Sequence, residues 1–354
     1  MNFDLTEERQ MLQDTLRRYL RDKYTTEVRN TILASDFGMS AEIWSELAEL
    51  GVLGALFTEE QGGFGGAGFD ISVVFEELGR AGVVEPVMEA MIAGRLLAKA
   101  GHDVESVIAG TQHLALAHSE ADGRYDLDRV TATFESGKLS GRKGMVLNAE
   151  AADGIVVSAM DGSLGLYLVS ANAPGVEIQG YPLLAGGRAA EVTFENAPAQ
   201  SLGLGLSDLE DAQAIGIVAQ CAETLGAMEM ATNLTKEYLV TRKQFGRPIG
   251  TFQALQHRMA DVLIELEQAR SAVINAAGSL HEEPRTRDLA MSAGKNLLGR
   301  AGRLVAEEAI QMHGGIAMTQ EYELAHIAKR IIMADHRFGD VDYHLERFIA
   351  LSAS

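Results

Sequence analysis

Three short stretches of this chain could do chemistry on a nucleotide. "GFGGAG" places Gly63, Gly65 and Gly68 in the G-x-G-x-x-G spacing of a dinucleotide-binding loop. "RKQFGRPIGTFQ" (242–253) offers Arg242, a permanent cation suited to phosphate oxygens, and Phe245, an aromatic face for stacking. "QMHGGIAMTQEY" (311–322) offers the Gln311 amide for a base or ribose edge, and Gly314 with Gly315, where backbone can approach a ligand closely. Taken singly, each of the last two reads better as a helix-ending turn, with Arg242 in a surface ion pair.

The elements around the glycines decide the first case. A dinucleotide fingerprint works between a strand and a helix. Here "SAEIWSELAELGVLGALF" (40–57) predicts a helix, with Ser40 as N-cap and Ile43, Leu47, Leu50 and Leu53 at helical spacing. "FDISVVFEELGRAG" predicts another, with Val73, Val74, Phe75 and Leu78 on or near one face. A glycine-rich loop between two helices is a turn, and the phosphate-cradle reading fails on context.

Residues 1–111 predict an N-terminal helical domain, opening on a helix that carries Met11, Leu12, Leu16, Tyr19 and Leu20, with Asp4 and Glu7 resembling a capping box. Residues 112–202 change character. "HLALAHSE", "VTATFE", "KLSGRKGMVL", "GIVVSAM", "GLYLVS", "GVEIQG" and "AEVTFENAP" are short, β-branched and separated by turn signals, which predicts an antiparallel barrel or sandwich. Residues 203–354 predict a helical bundle. Along "QALQHRMADVLIELEQARSAV", Leu255, Met259, Val262, Leu266, Ala269 and Val273 recur in steps of four and three, one continuous seam. The expected fold class is α+β, mostly α: helical domain, middle β domain, C-terminal four-helix bundle.

A chain of 354 residues can bury a large core over two or three domains. Its net charge of −20 argues against nucleic acid, whose phosphates it would repel. The lone Cys221 excludes an intramolecular disulfide. "MNFDLTEERQ" has no signal-peptide apolar core, and no apolar run reaches the length of a membrane span, so the cytoplasm is the expected location. No metal site is expected.

With these pieces in order, the chain resembles the acyl-CoA dehydrogenase family over essentially its whole length. The resemblance is carried by "FDLTEER", "LAELGVLGALFTEEQGGFG" with "FEELGRAG", "RKQFGRPIGTFQALQHRMAD" and "QMHGGIAMTQEYELAHIAKR". It implies FAD as cofactor and removal of hydrogens from Cα and Cβ of an acyl-CoA thioester. It implies that the glycine loop joins two helices with no phosphate role. It also implies that Arg242, Gln244, Phe245, Ile249, Phe252 and Gln253, with Gln311, Gly314 and Gly315, serve the ADP half of a neighbouring subunit's flavin.

The other half of the implied active site is altered. Most of the family places a catalytic Glu before a Gly in a Y-E-G-T motif. The corresponding stretch here is "HRFGDVDYHL", with Phe338 before Gly339. The alternative family position for the acid falls near Gly216. The D-x-x-R that holds acyl-CoA aligns with "AIGI" (214–217), and the flavin-contacting W-x-T reads Met145-Val146-Leu147, followed by a retained Asn148. "AHSEADGRYD" stands in place of the T-E-P-x-A-G-S-D segment. No catalytic residue is therefore expected in this chain. Phe338 is expected to pack into the vacated flavin or acyl pocket as a structural residue, where a glutamate in its place would find no cationic partner, and "DVDYHLERF" to form a terminal helix capped by Asp340 or Asp342.

The resemblance then implies a non-catalytic subunit of a heteromeric acyl-CoA dehydrogenase. Its homologous partner, in an α2β2 complex, would carry the Glu and most of the acyl-CoA site. A bulky steroid side-chain or a dicarboxyl acyl-CoA is the expected substrate, and electron-transfer flavoprotein the expected acceptor. Two rivals stay open: an autonomous homomeric flavoenzyme with a relocated acid, and a non-enzymatic paralogue that keeps the fold.

Overall fold

The computed structural model describes residues 5–353. Six helices come first: α1 (Glu7–Lys23), α2 (Thr26–Leu33), α3 (Ala41–Glu49), α4 (Gly68–Ala81), α5 (Val87–Lys99) and the short α6 (Glu105–Ile108). Eight strands follow: β1 (Leu114–Ala117), β2 (Thr133–Glu135), β3 (Lys138–Leu147), β4 (Gly154–Asp161), β5 (Ser163–Ser170), β6 (Val176–Pro182), β7 (Arg188–Pro198) and β8 (Gln200–Gly205). Then come α7 (Leu206–Thr241), a small hairpin of β9 (Lys243–Gln244) and β10 (Arg247–Pro248), α8 (Gln253–Ser279), α9 (Pro284–His313), α10 (Glu323–Ala334) and α11 (Val341–Ala353). The helix–strand–helix order is the one read from the sequence.

Contacts gather the chain into two compact units. One joins residues up to Arg29 with Gly68–Val83 and everything from Ile217 onward; the other holds Asn30–Ala67 and Val84–Gly216. The division into residues 1–111, 112–202 and 203–354 stays a proposal about element type.

The second unit is built on an eight-stranded sheet in the order β6-β7-β3-β2-β4-β5-β8, with β1 also paired to β4. The sheet is mixed, where an antiparallel one was expected. One edge of β4 takes β1 in parallel (Leu114↔Gly154 to Ala117↔Val157) and then β2 in parallel at Thr133↔Met160. Both partners return to this edge after long excursions, so neither is held to the antiparallel sense that a tight hairpin imposes. Ile155, Val157, Tyr167, Val192 and Phe194 fill the core beside the sheet, and Phe134 stacks on Tyr167 at 4.0 Å.

In the first unit, long helices pack by their apolar seams. Met259, Val262, Leu266, Ala269 and Val273 of α8 are buried as their spacing requires, while Leu255 is half-buried in the first turn. The capping role given to Asp4 falls outside the described residues; the described cap of α1 is Thr6, whose hydroxyl accepts from Arg9 N. In the second unit Ser40 caps α3 by accepting from Ile43 N, but α3 stops at Glu49. Gly51, at φ 80, turns the chain there, and residues 54–56 continue as a single 3-10 turn.

Candidate functional site

The glycine loop spends the N–H groups of Gly62 to Gly66 on its own neighbouring backbone. Phe64 N donates to Gly54 O, Gly65 N to Phe57 O and Gly66 N to Ala55 O, each at 2.9–3.1 Å. A Cβ on Gly63 would stand 2.3 Å from Phe57 O, and one on Gly65 2.3 Å from Ala55 O. These glycines let one stretch of backbone lie directly on another.

The helix residues that flank the first of the later motifs meet the end of α9 in the first unit. Tyr238, in the last turn of α7, stacks on His313 at the end of α9 with ring centroids 4.4 Å apart, and Tyr322 closes on the same ring at 5.4 Å. Arg258 of α8 pairs with Glu308 of α9 at 2.8 Å, which fixes the start of one helix beside the end of the other. His313 is buried, which lowers its pKa and keeps the ring neutral, with Nδ1 2.8 Å from Ala309 O. Sequence reasoning passed over Tyr238, His313 and Tyr322, which lie far apart in the chain and meet only through packing.

Between α7 and α8 the chain makes a hairpin in which Gln244 faces Arg247. Its two-residue turn is Phe245 at φ 52 and Gly246 at φ 79, both positive as a type I′ turn requires. Asn or Gly sits at the first position without strain; a bulky residue there costs roughly 1–3 kcal/mol. Phe245 is nonetheless 90% exposed, touching Phe252 only edge-on at 6.0 Å. The Arg247 guanidinium lies over the other ring, 4.3 Å from the Phe252 centroid. The motif reading did not single out Arg247.

The remaining candidates lie in and after this hairpin and at the end of α9. Ile249 is half-buried and donates its N–H to Arg242 O at 2.8 Å. Arg242, Gln244, Gln253 and Gln311 are exposed. Arg242 forms no ion pair among the described residues, so the surface-pair reading of its charge fails. Gly314 ends α9 at φ 68 and ψ −147, a conformation open essentially to glycine alone. No atom lies within 4 Å of where a Cβ would stand on Gly314 or Gly315. Between them the two motifs offer a cation with no ion pair among the described residues, exposed amides, presented rings and open backbone, chemistry that fits the diphosphate and base of an adenine dinucleotide.

The turn after α10 is built differently. Phe338 has φ 60 and precedes Gly339 at φ 109. Buried Lys295 donates to Ala334 O and Asp335 O at 3.0 Å, Asn296 Nδ2 to Val341 O at 2.9 Å, and His344 Nε2 lies 2.9 Å from Phe338 O. Asp340 is the cap of α11, accepting from Tyr343 N at 2.9 Å, while Asp342 is exposed in its first turn. The Phe338 ring is half-buried and lies 4.9 Å from the Arg337 guanidinium. The expectation that a glutamate at this position would find no cation is therefore corrected, because Arg337 stands beside it and the site is only half-buried. Gly216 is buried within α7.

In the second unit, "AHSEADGRYD" is anchored from below by one lysine. Lys143, fully buried, donates to Glu120 Oε1 at 2.7 Å, to Ser158 Oγ at 3.0 Å and to His118 O at 3.1 Å. Burial would raise Glu120, but hydrogen bonds from Lys143, Thr131 and the Ala132 N–H outweigh it and hold the carboxyl at about 2. Burial, reinforced by the Lys143 charge, takes His118 down to about 4. Two residues on, Met145 adopts φ 53 and stays exposed, with Asn148 at φ 61 closing the strand.

This fold and these motifs have known counterparts. The acyl-CoA dehydrogenase N-terminal domain family matches residues 6–104 and the C-terminal domain family residues 210–347. Acyl-CoA dehydrogenase IpdE2 of Mycobacterium tuberculosis is 33% identical over 326 residues, spanning 92% of this chain and 91% of the relative. A solved variant of the Tcur3481-Tcur3483 steroid ACAD superimposes with a TM-score of 0.90 at 28% identity over 98% of each chain. The ChsE4-ChsE5 complex from Mycobacterium tuberculosis shares the fold, with a TM-score of 0.91 at 24% identity over 100% of this chain and 99% of that one. The chain belongs to the acyl-CoA dehydrogenase family, flavoprotein oxidoreductases that bind FAD and act on the CH–CH bond of an acyl-CoA. Among the described residues, no helix is long and apolar enough to cross a membrane.

Proposed function

We propose that this chain is the base-lacking subunit of a heteromeric acyl-CoA dehydrogenase. Its hairpin end serves the ADP half of an FAD held with a homologous partner. In this reading Arg242 meets the diphosphate charge, Phe245 and Phe252 present apolar faces to the adenosine, and the amides of Gln244, Gln253 and Gln311 read polar edges. Ile249 braces the hairpin from within, and Gly314 with Gly315 let backbone N–H groups approach. The partner carries the Glu, the flavin-ring pocket and most of the acyl-CoA site, and FAD, when bound, accepts the hydride from Cβ.

One observation carries this reading: the position of the base holds Phe338, and Asp340, the nearest acid along the chain, spends its carboxylate capping α11. Abstraction of the α-proton needs a carboxylate within hydrogen-bond reach, and a displacement of about 1 Å already costs on the order of 100-fold. Two similar solved structures are named by paired subunits, one of them as a steroid enzyme, which supports a heteromer and a bulky steroid side-chain acyl-CoA; a dicarboxyl acyl-CoA is the second candidate. An α2β2 assembly in the cytoplasm, with electron-transfer flavoprotein as the acceptor, completes the proposal.

The test is turnover of the co-expressed complex. Replacing the partner's catalytic Glu should abolish it, while Asp340→Asn and Asp342→Asn in this chain should leave it within about fivefold. A collapse of several orders of magnitude from either Asp change, with flavin still bound, would place the base here and overturn the reading.

A further inference from the structure

Away from the hairpin end and the Phe338 turn, the first unit buries a cluster of charged side chains. Glu76, Glu77 and Arg80 of α4 face Arg17 of α1, Glu229 of α7, and Arg270 with Glu267 of α8. Arg17 grips Glu77 at 2.5 Å, and Arg80 reaches Glu77 at 3.3 Å. Glu229 pairs with both Arg80 and Arg270. Glu76 is the least well served: Arg80, its contact at 3.1 Å, is shared with two other carboxylates, and Arg270 stands off at 3.8 Å beside Glu267.

The helices cannot part cheaply to relieve it. A Cβ on Gly226 of α7 would stand 1.9 Å from Glu76 O, and one on Gly79 1.9 Å from Glu223 O, so α4 and α7 pack backbone to backbone at the cluster. Burial, together with the neighbouring Glu229 charge, pushes the Glu76 carboxyl up to about 7.

We propose that Glu76 is a proton-binding site that makes the packing of α1, α4, α7 and α8 respond to pH. With the proton on, Arg80 serves Glu77 and Glu229, and the buried carboxyl is neutral. With the proton off, a third carboxylate competes for the same guanidinium in a space the glycine contact keeps closed. A carboxyl whose folded pKa lies above its unfolded value binds the proton more tightly when folded. Its contribution is full below the unfolded pKa, near 4.5, and is lost as pH rises to about 7.

Urea unfolding of the full chain, wild type against E76Q, tests this from pH 5.5 to 8. The wild-type folding equilibrium should weaken relative to E76Q by about tenfold per pH unit up to about 7, then run parallel. A 13C carboxyl signal of glutamate-labelled protein should titrate near pH 7, vanish in E76Q and move to lower pH in E229Q. A constant wild-type-to-E76Q difference across the range, or no glutamate signal titrating above pH 6, would overturn the proposal.

Discussion

The hairpin end and the turn after α10 lie in the same helical unit, and each contains a phenylalanine forced to positive φ. They differ in where their polar groups go. Around Phe245 little is spent internally: Arg242 forms no ion pair among the described residues, the glutamines are exposed, and the ring itself stands 90% in solvent. Around Phe338 the donors are spent: Lys295, Asn296 and His344 Nε2 hold backbone carbonyls of the turn, Asp340 caps α11 and Arg337 lies over the ring, and the buried atoms left without a partner, Asp335 Oδ1 and His344 Nδ1, are acceptors. Strain alone therefore does not mark a ligand site. Strain beside unspent donors does, because only an outside partner can recover the cost.

The comparison breaks most visibly at Lys295. Lys295→Met should cost roughly 2–6 kcal/mol in urea unfolding, since two carbonyls lose their donor at about 1–3 kcal/mol each, and should leave flavin affinity of the complex unchanged. A stable variant that loses flavin would mean that the turn is not self-contained. Next in size is Arg242→Ala, with the opposite signature. Loss of a charge-assisted contact worth roughly 1.5–3 kcal/mol should weaken FAD binding of the assembled complex about 10- to 150-fold, with unfolding unchanged. Flavin retention equal to wild type under dilution would return Arg242 to the ordinary surface.

Two smaller effects sharpen the contrast. Asp340→Ala should remove about 1 kcal/mol of stability as a lost cap, and Asp340→Asn almost none, because Asn caps equally well. Phe245→Asn should relax the type I′ turn and raise stability by up to about 1 kcal/mol, while still reducing flavin retention. A Phe245→Asn protein that keeps its flavin would mean that the exposed ring serves no ligand.

Periodic elements were legible in the sequence because burial imposes their spacing. The α8 seam, the Ser40 cap and seven of the strands follow directly from it. Strand β8, "QSLGLG", was not, since it lacks the β-branched alternation and is held in place by pairing with β5. The parallel pairing of β1 and β2 to β4 was hidden for a related reason: it depends on where two long excursions return, which no local pattern encodes. At the site, the motif residues could be found, but not that Arg337 flanks Phe338 or that Asp340 rather than Asp342 is the cap. Those facts are set by side-chain directions at single turns. The tight backbone contacts of Gly63 and Gly65 were equally invisible, which is why the spacing could imitate a phosphate loop.

The central claim is that this chain holds half of a flavin site and none of the base. The most direct measurement is flavin stoichiometry and acyl-CoA dehydrogenation by the chain purified alone, set beside the chain co-purified with a base-bearing homologous subunit. The account predicts a nearly colourless, inactive protein in the first case and about one FAD per heterodimer, with turnover, in the second. A fully flavinated homo-oligomer of this chain that dehydrogenates an acyl-CoA unaided would contradict it.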